Sequence, residues 1–97
     1  MRRRRSPEII AGRVGGTGNI VTGGDSFNSR QTGTGTYEVT FPANFRVVSM
    51  VCTSESGGRV VTSVFQGSNQ VTVLSYVANT LALDNQPFAF VAVGYSL

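Results

Sequence analysis

The sequence predicts an all-β protein, an antiparallel β-sandwich or barrel of about seven to nine short strands. Three observations carry that expectation. No stretch keeps apolar residues at i, i+3, i+4 and i+7 over three turns, so helical periodicity is missing. Short apolar–polar alternations recur at intervals of about 8–12 residues, with turn-forming residues between them. The composition is rich in Gly, Thr, Ser and Val, and only 13% of residues are charged, against about 25% in an average domain.

Taken in order, residues 1–8 read as a basic N-terminal arm and residues 9–97 as a single domain. Residues 9–14 and 19–22 are short strands separated by the flexible GGTG, and 26–30 is a weaker candidate. TGTGTYEVTFP follows. Tyr37, Val39 and Phe41 share one face and Thr36, Glu38 and Thr40 the other, and Pro42 ends the strand because it cannot donate to a ladder. Residues 46–53 form a strand with Val47 and Val51 on one face and Val48, Met50 and Cys52 on the other. SESGG turns the chain, and residues 59–65 and 70–77 flank QGSN as a hairpin. Residues 80–83 offer a short strand within the ANTLALDNQ connection, and 88–95 close the domain.

Charge says little about the folded part. The net charge is +3, but Arg2, Arg3, Arg4 and Arg5 supply half of the 8 basic residues. The rest of the chain sets Arg13, Arg30, Arg46 and Arg59 against Glu8, Asp25, Glu38, Glu55 and Asp84, a body near neutrality. No basic face for nucleic acid is expected there. The arginine run itself has three readings: a partner-docking arm, a solvated tail, or a phosphate contact acting by counterion release. No run approaches the ~18 apolar residues of a membrane span, and SPEIIAGRVGG lacks the apolar segment of a secretory signal. Synthesis in a reducing cytoplasm is the expectation, with lone Cys52 a structural thiol in the apolar run VVSMVCT.

The chain has no histidine, lysine or tryptophan. That removes histidine bases, Ser-His-Asp and Cys-His arrangements, lysine Schiff bases and imidazole metal sites, so no enzymatic activity and no cofactor are expected. Asp25 and Asp84 are a conceivable carboxylate pair, but no loop has the dense Asp/Asn spacing that calcium requires. GRVGGTG lacks a Walker lysine and a following helix, so it reads as a strand connector. Six of the nine aromatics are Phe, at positions that suit a core better than a sugar platform.

The last strand, PFAFVAVGYSL, poses the functional question. Phe88, Phe90, Ala92 and Gly94 point one way; Ala89, Val91, Val93, Tyr95 and Leu97 point the other. Leaving Val91, Val93, Tyr95 and Leu97 bare would forgo about 6–12 kcal/mol, comparable to the stability of a domain. Residues 46–53, 59–65 and 70–77 share such doubled apolar faces. A permanent homo-oligomer is expected, with those four side chains as the interface.

The succession GRVGGTGNIVTGGDSFNSRQTGTGTYEVTFPANF, valine-rich hairpins and DNQPFAFVAVG resembles the C1q/TNF-like jelly rolls, above all the small trimeric β-domains of phage tail-fibre tips and related virion proteins. The likeness covers roughly residues 10–97. It implies a jelly-roll sandwich, a homotrimer with the last strand near the threefold axis, and display on a larger particle. Fibre knobs of this kind follow a shaft, whereas here the knob begins within a dozen residues of Met1, which suits capsid decoration as well as a tail accessory. The resulting expectation is a non-enzymatic virion structural protein made in the host cytoplasm. Its partners are larger capsid or tail proteins, met through Arg2, Arg3, Arg4 and Arg5. The alternative is a receptor-binding module for host-surface glycan, using loops such as QGSN or ALDNQP.

Overall fold

The computed structural model of the chain describes residues 7–24, 26–55 and 57–96. Among them lie eight strands and no helix: β1 (Glu8–Val14), β2 (Ile20–Thr22), β3 (Asn28–Gly33), β4 (Thr36–Thr40), β5 (Phe45–Ser54), β6 (Arg59–Phe65), β7 (Gln70–Val77) and β8 (Phe88–Ser96). They form two four-stranded antiparallel sheets, β2-β1-β8-β5 and β3-β4-β7-β6. The result is a β-sandwich-like fold with one core between the sheets.

The core follows from strict alternation. β4 buries Tyr37 and Val39, β7 buries Val71, Val73 and Ser75, and β8 buries Phe88, Phe90, Ala92 and Gly94. Rings from both sheets meet there. Phe90 lies edge-on to Phe27 and Phe41, at 4.8 and 5.9 Å between centroids, and Tyr37 packs on Phe88 at 5.3 Å. Such pairs add about 0.5–1.5 kcal/mol each beyond their buried area.

Several expected elements are adjusted. β1 starts at Glu8, one residue inside the expected arm, and the weak strand at 26–30 is instead β3, over Asn28–Gly33. Residues 80–83 give only a single bridge, Leu83 to Tyr76. Leu81 lies in the left-handed region at φ 58, and its N–H closes a turn onto the Val77 carbonyl, so extended pairing cannot continue.

The largest departure is on β5. Val47 faces Gly94 and Ser49 faces Val93, so Val48 is an extra residue without a counterpart on β8. This bulge reverses the alternation. Val47 is buried together with Met50 and, in part, Cys52, whereas Val48 and Val51 both point outward. The expected grouping of Val47 with Val51 is therefore replaced.

Candidate functional site

Strands β1, β8 and β5 turn their other face away from the core. In register across it run three rows: Ile9–Val93–Ser49, Ala11–Val91–Val51 and Arg13–Ala89–Thr53. The central row is wholly apolar. Ile9 is 68% exposed, Val51 65%, Val48 54% and Val91 44%, with Tyr95 at 37% beside Arg46. Val93 is half-buried by its neighbours. Soluble sheets usually offset a buried face with a polar one, which the opposite sheet does. Its outer face carries Thr36, Thr40, Thr62 and Thr72 and the Arg30–Glu38 ion pair at 2.9 Å, between Val60, Val64 and Leu74.

Charges close the apolar face at both ends rather than crossing it. Arg13 makes a two-bond pair with Glu55, Nε to Oε1 at 2.7 Å and Nη2 to Oε2 at 2.8 Å. The carboxylate bond holds Arg13 above its usual value, and the guanidinium holds Glu55 below the usual carboxylate range. Arg46 stands at the other end of the face.

Of the expected interface residues, Val91, Val93 and Tyr95 lie together on this face, while Leu97 falls outside the described residues. Arg2, Arg3, Arg4 and Arg5 also fall outside them. Ile9, Val48 and Val51 were not legible as members of the face. Their hydrophobicity is visible in the sequence, but joining them to β8 requires the strand order and the bulge.

The loops considered for a ligand spend their polar groups internally. Asp84 pairs with Arg59 at 2.8 Å, Asn85 Oδ1 accepts from Gly35 N and Gln31 Nε2, and Gln86 is buried. In QGSN, the Asn69 amide donates to the Phe41 carbonyl at 2.9 Å, and the Ser68 carbonyl accepts from Val47 N. A groove of about 160 Å³ lined by Gly24, Ser26, Phe27, Asn28, Thr40, Phe41 and Pro42 is smaller than the ~300 Å³ at which small-molecule sites begin. Among the described residues, no three Cys, Asp or Glu side chains gather as metal ligands; Asp25 lies outside that set.

Burial pushes the Cys52 thiol up to about 11, partly offset by a hydrogen bond with Ser63 across the core, so the thiolate that reacts is suppressed. What this arrangement can do is present a broad, apolar, charge-bordered surface. No known family pattern, curated protein or solved structure matches this chain.

Proposed function

We propose that this protein is a non-enzymatic structural protein that self-associates as a homotrimer through the outer face of β1, β8 and β5. On this reading it is a jelly-roll subunit displayed on a virion, as capsid decoration or a tail accessory, with the Arg2–Arg5 arm meeting a larger particle protein. The observation that carries the reading is the apolar row Ala11–Val91–Val51, flanked by Ile9, Val48 and Tyr95. Covering these half-exposed side chains is worth about 5 kcal/mol per copy, at the low end of what association costs in lost freedom. Three copies sharing the contact bury three such faces. Eight strands in two four-stranded antiparallel sheets are compatible with a β-sandwich, the class to which jelly rolls belong. The lack of histidine and lysine favours a structural role over catalysis.

Light scattering of the full chain at micromolar concentration should give three times 10.3 kDa or a multiple of that mass. Val91→Glu should abolish the threefold assembly, leaving no more than two copies, without loss of the β circular-dichroism signal, because the side chain points away from the core. A monomeric wild type, or a V91E protein that keeps a threefold mass, overturns the reading. The virion role predicts that the full chain co-sediments with intact particles and that deleting residues 1–5 abolishes this. A chain absent from particles refutes it.

A further inference from the structure

The four sheet edges are not alike. β2 is only three residues long, and the bulge at Val48 interrupts β5. β3 is polar, with the sequence NSRQTG and Arg30 paired to Glu38. These are recognised ways of keeping an edge from recruiting another chain. β6 has none of them. It runs its seven residues in unbroken register with β7, and after Arg59 it reads VVTSVF, with no charge and no proline. Val60, Val64 and Phe65 are 42%, 49% and 46% exposed.

The register shows which groups this edge offers. Gln66 N donates to the Gln70 carbonyl at one end of the hairpin, and Ala78 N donates to the Gly58 carbonyl at the other. Hydrogen-bonded and non-bonded pairs alternate in an antiparallel ladder. Val60, Thr62 and Val64 therefore bond to β7, opposite Tyr76, Leu74 and Thr72. The N–H and C=O groups of Arg59, Val61, Ser63 and Phe65 point the other way, where no strand of the described residues pairs with them.

We propose that this edge pairs with the β6 edge of a second copy, antiparallel about a twofold axis through Thr62. The sequence is close to symmetric about that residue. Centred there, Val61 lies opposite Ser63 of the second copy and Arg59 opposite its Phe65, so every outward-pointing backbone group meets another. Val60 falls against Val64, and Thr62 against Thr62. Cross-strand pairs of these kinds, β-branched against β-branched, favour pairing of the two strands. The two arginines sit at opposite ends, about 20 Å apart, each beside a phenylalanine ring rather than a like charge. The edge is thus its own complement, as an isologous contact requires, and a second copy is the partner it fits. Pairing joins two four-stranded sheets into one of eight. It uses a different surface from the outer face of β1, β8 and β5, so it stands independently of the trimer.

Engineered cysteines test both the contact and its register in the full chain. Thr62→Cys places two thiols across a non-hydrogen-bonded pair, where Cα atoms lie about 4.5 Å apart, within disulfide reach. Val64→Cys places them four residues out of register, about 14 Å apart. With oxidised glutathione as oxidant, T62C should yield at least about tenfold more cross-linked dimer than V64C. Peptide mapping separates that bond from any made by Cys52. No dimer with T62C, or equal dimer with V64C, overturns the proposal. Ser63→Pro removes an outward N–H and the hydroxyl that meets Cys52, but leaves the β7 ladder whole. It should abolish the T62C cross-link with circular dichroism unchanged, and a surviving cross-link refutes the pairing. Repeated in the V91E background the cross-link should persist, so loss of the trimer leaves this result standing. Its disappearance there overturns the pairing as an independent contact.

Discussion

At the scale of single residues, the polar core group matters as much as the rings. Gln86 is 3% exposed, yet both ends of its amide are bonded: Nε2 donates to Ser75 Oγ, and Oε1 accepts from Ser54 Oγ at 2.9 Å. Its backbone N–H donates to the Tyr37 hydroxyl at 3.2 Å, and that hydroxyl donates to the Gly16 carbonyl at 2.8 Å. One side chain thus ties the last connection to strands of both sheets. Gln86→Ala strands the buried Ser75 hydroxyl and opens a void, and should cost about 2–4 kcal/mol in urea unfolding. A loss below about 0.5 kcal/mol would mean the network does not hold the connection.

Alkaline pH should expose a second residue-level effect. Burial raises the Cys52 thiol from 9.0 to about 11, and burial also raises the Tyr37 hydroxyl. Both are neutral when protonated, and the fold binds those protons more tightly than the unfolded chain does. Their stabilisation is therefore complete below pH 9.0 and is lost as pH climbs towards 11. The Cys52 share is at most about 2.7 kcal/mol, less what solvent reaching this partly buried thiol screens away. Thermal unfolding followed from pH 8 upward should show a falling midpoint, with a shallower fall for Cys52→Ala. Identical slopes would remove Cys52 as the cause.

At the scale of elements, β5 and β8 depend on each other through a glycine. A Cβ at Gly94 would run into the Arg46 carbonyl oxygen and come within 2.8 Å of the Phe45 ring. The backbone there is paired, so neither neighbour can yield cheaply. Gly94→Ala should cost about 3 kcal/mol, measured by denaturant unfolding, while Ala89→Gly on the outer face should cost far less. The same strand shows how far the sequence could be read. Alternation in β4 and β8 was plain, because each is an unbroken strand with bulky residues on one side: Tyr37 and Val39, Phe88 and Phe90. β5 was misread from Val47 onward. No glycine or proline marks its bulge, which arises from how β5 meets β8 and not from any local residue preference.

At the scale of the whole molecule, the strand count and the all-β class were legible from spacing and turn residues. The sheet order was not. Nothing local says that β1 lies between β2 and β8, or that Ile9 and Val51 end up in adjoining rows on either side of β8. The candidate face was half visible as the second apolar side of residues 88–95. Its other half comes from segments some 40 and 80 residues earlier in the chain, and pairing over such distances leaves no periodic trace.

Placing β8 between β1 and β5 also fixes a timetable for synthesis. The hairpins β3–β4 and β6–β7 can zip up while the ribosome is still working, since their partners are neighbours. The other sheet has to wait for its keystone. Until Phe88–Ser96 leave the exit tunnel, β1 and β5 share no strand, and the phenylalanines of the nascent sandwich lack their lid. A ribosome stalled before Phe88 would present chaperones with half a protein.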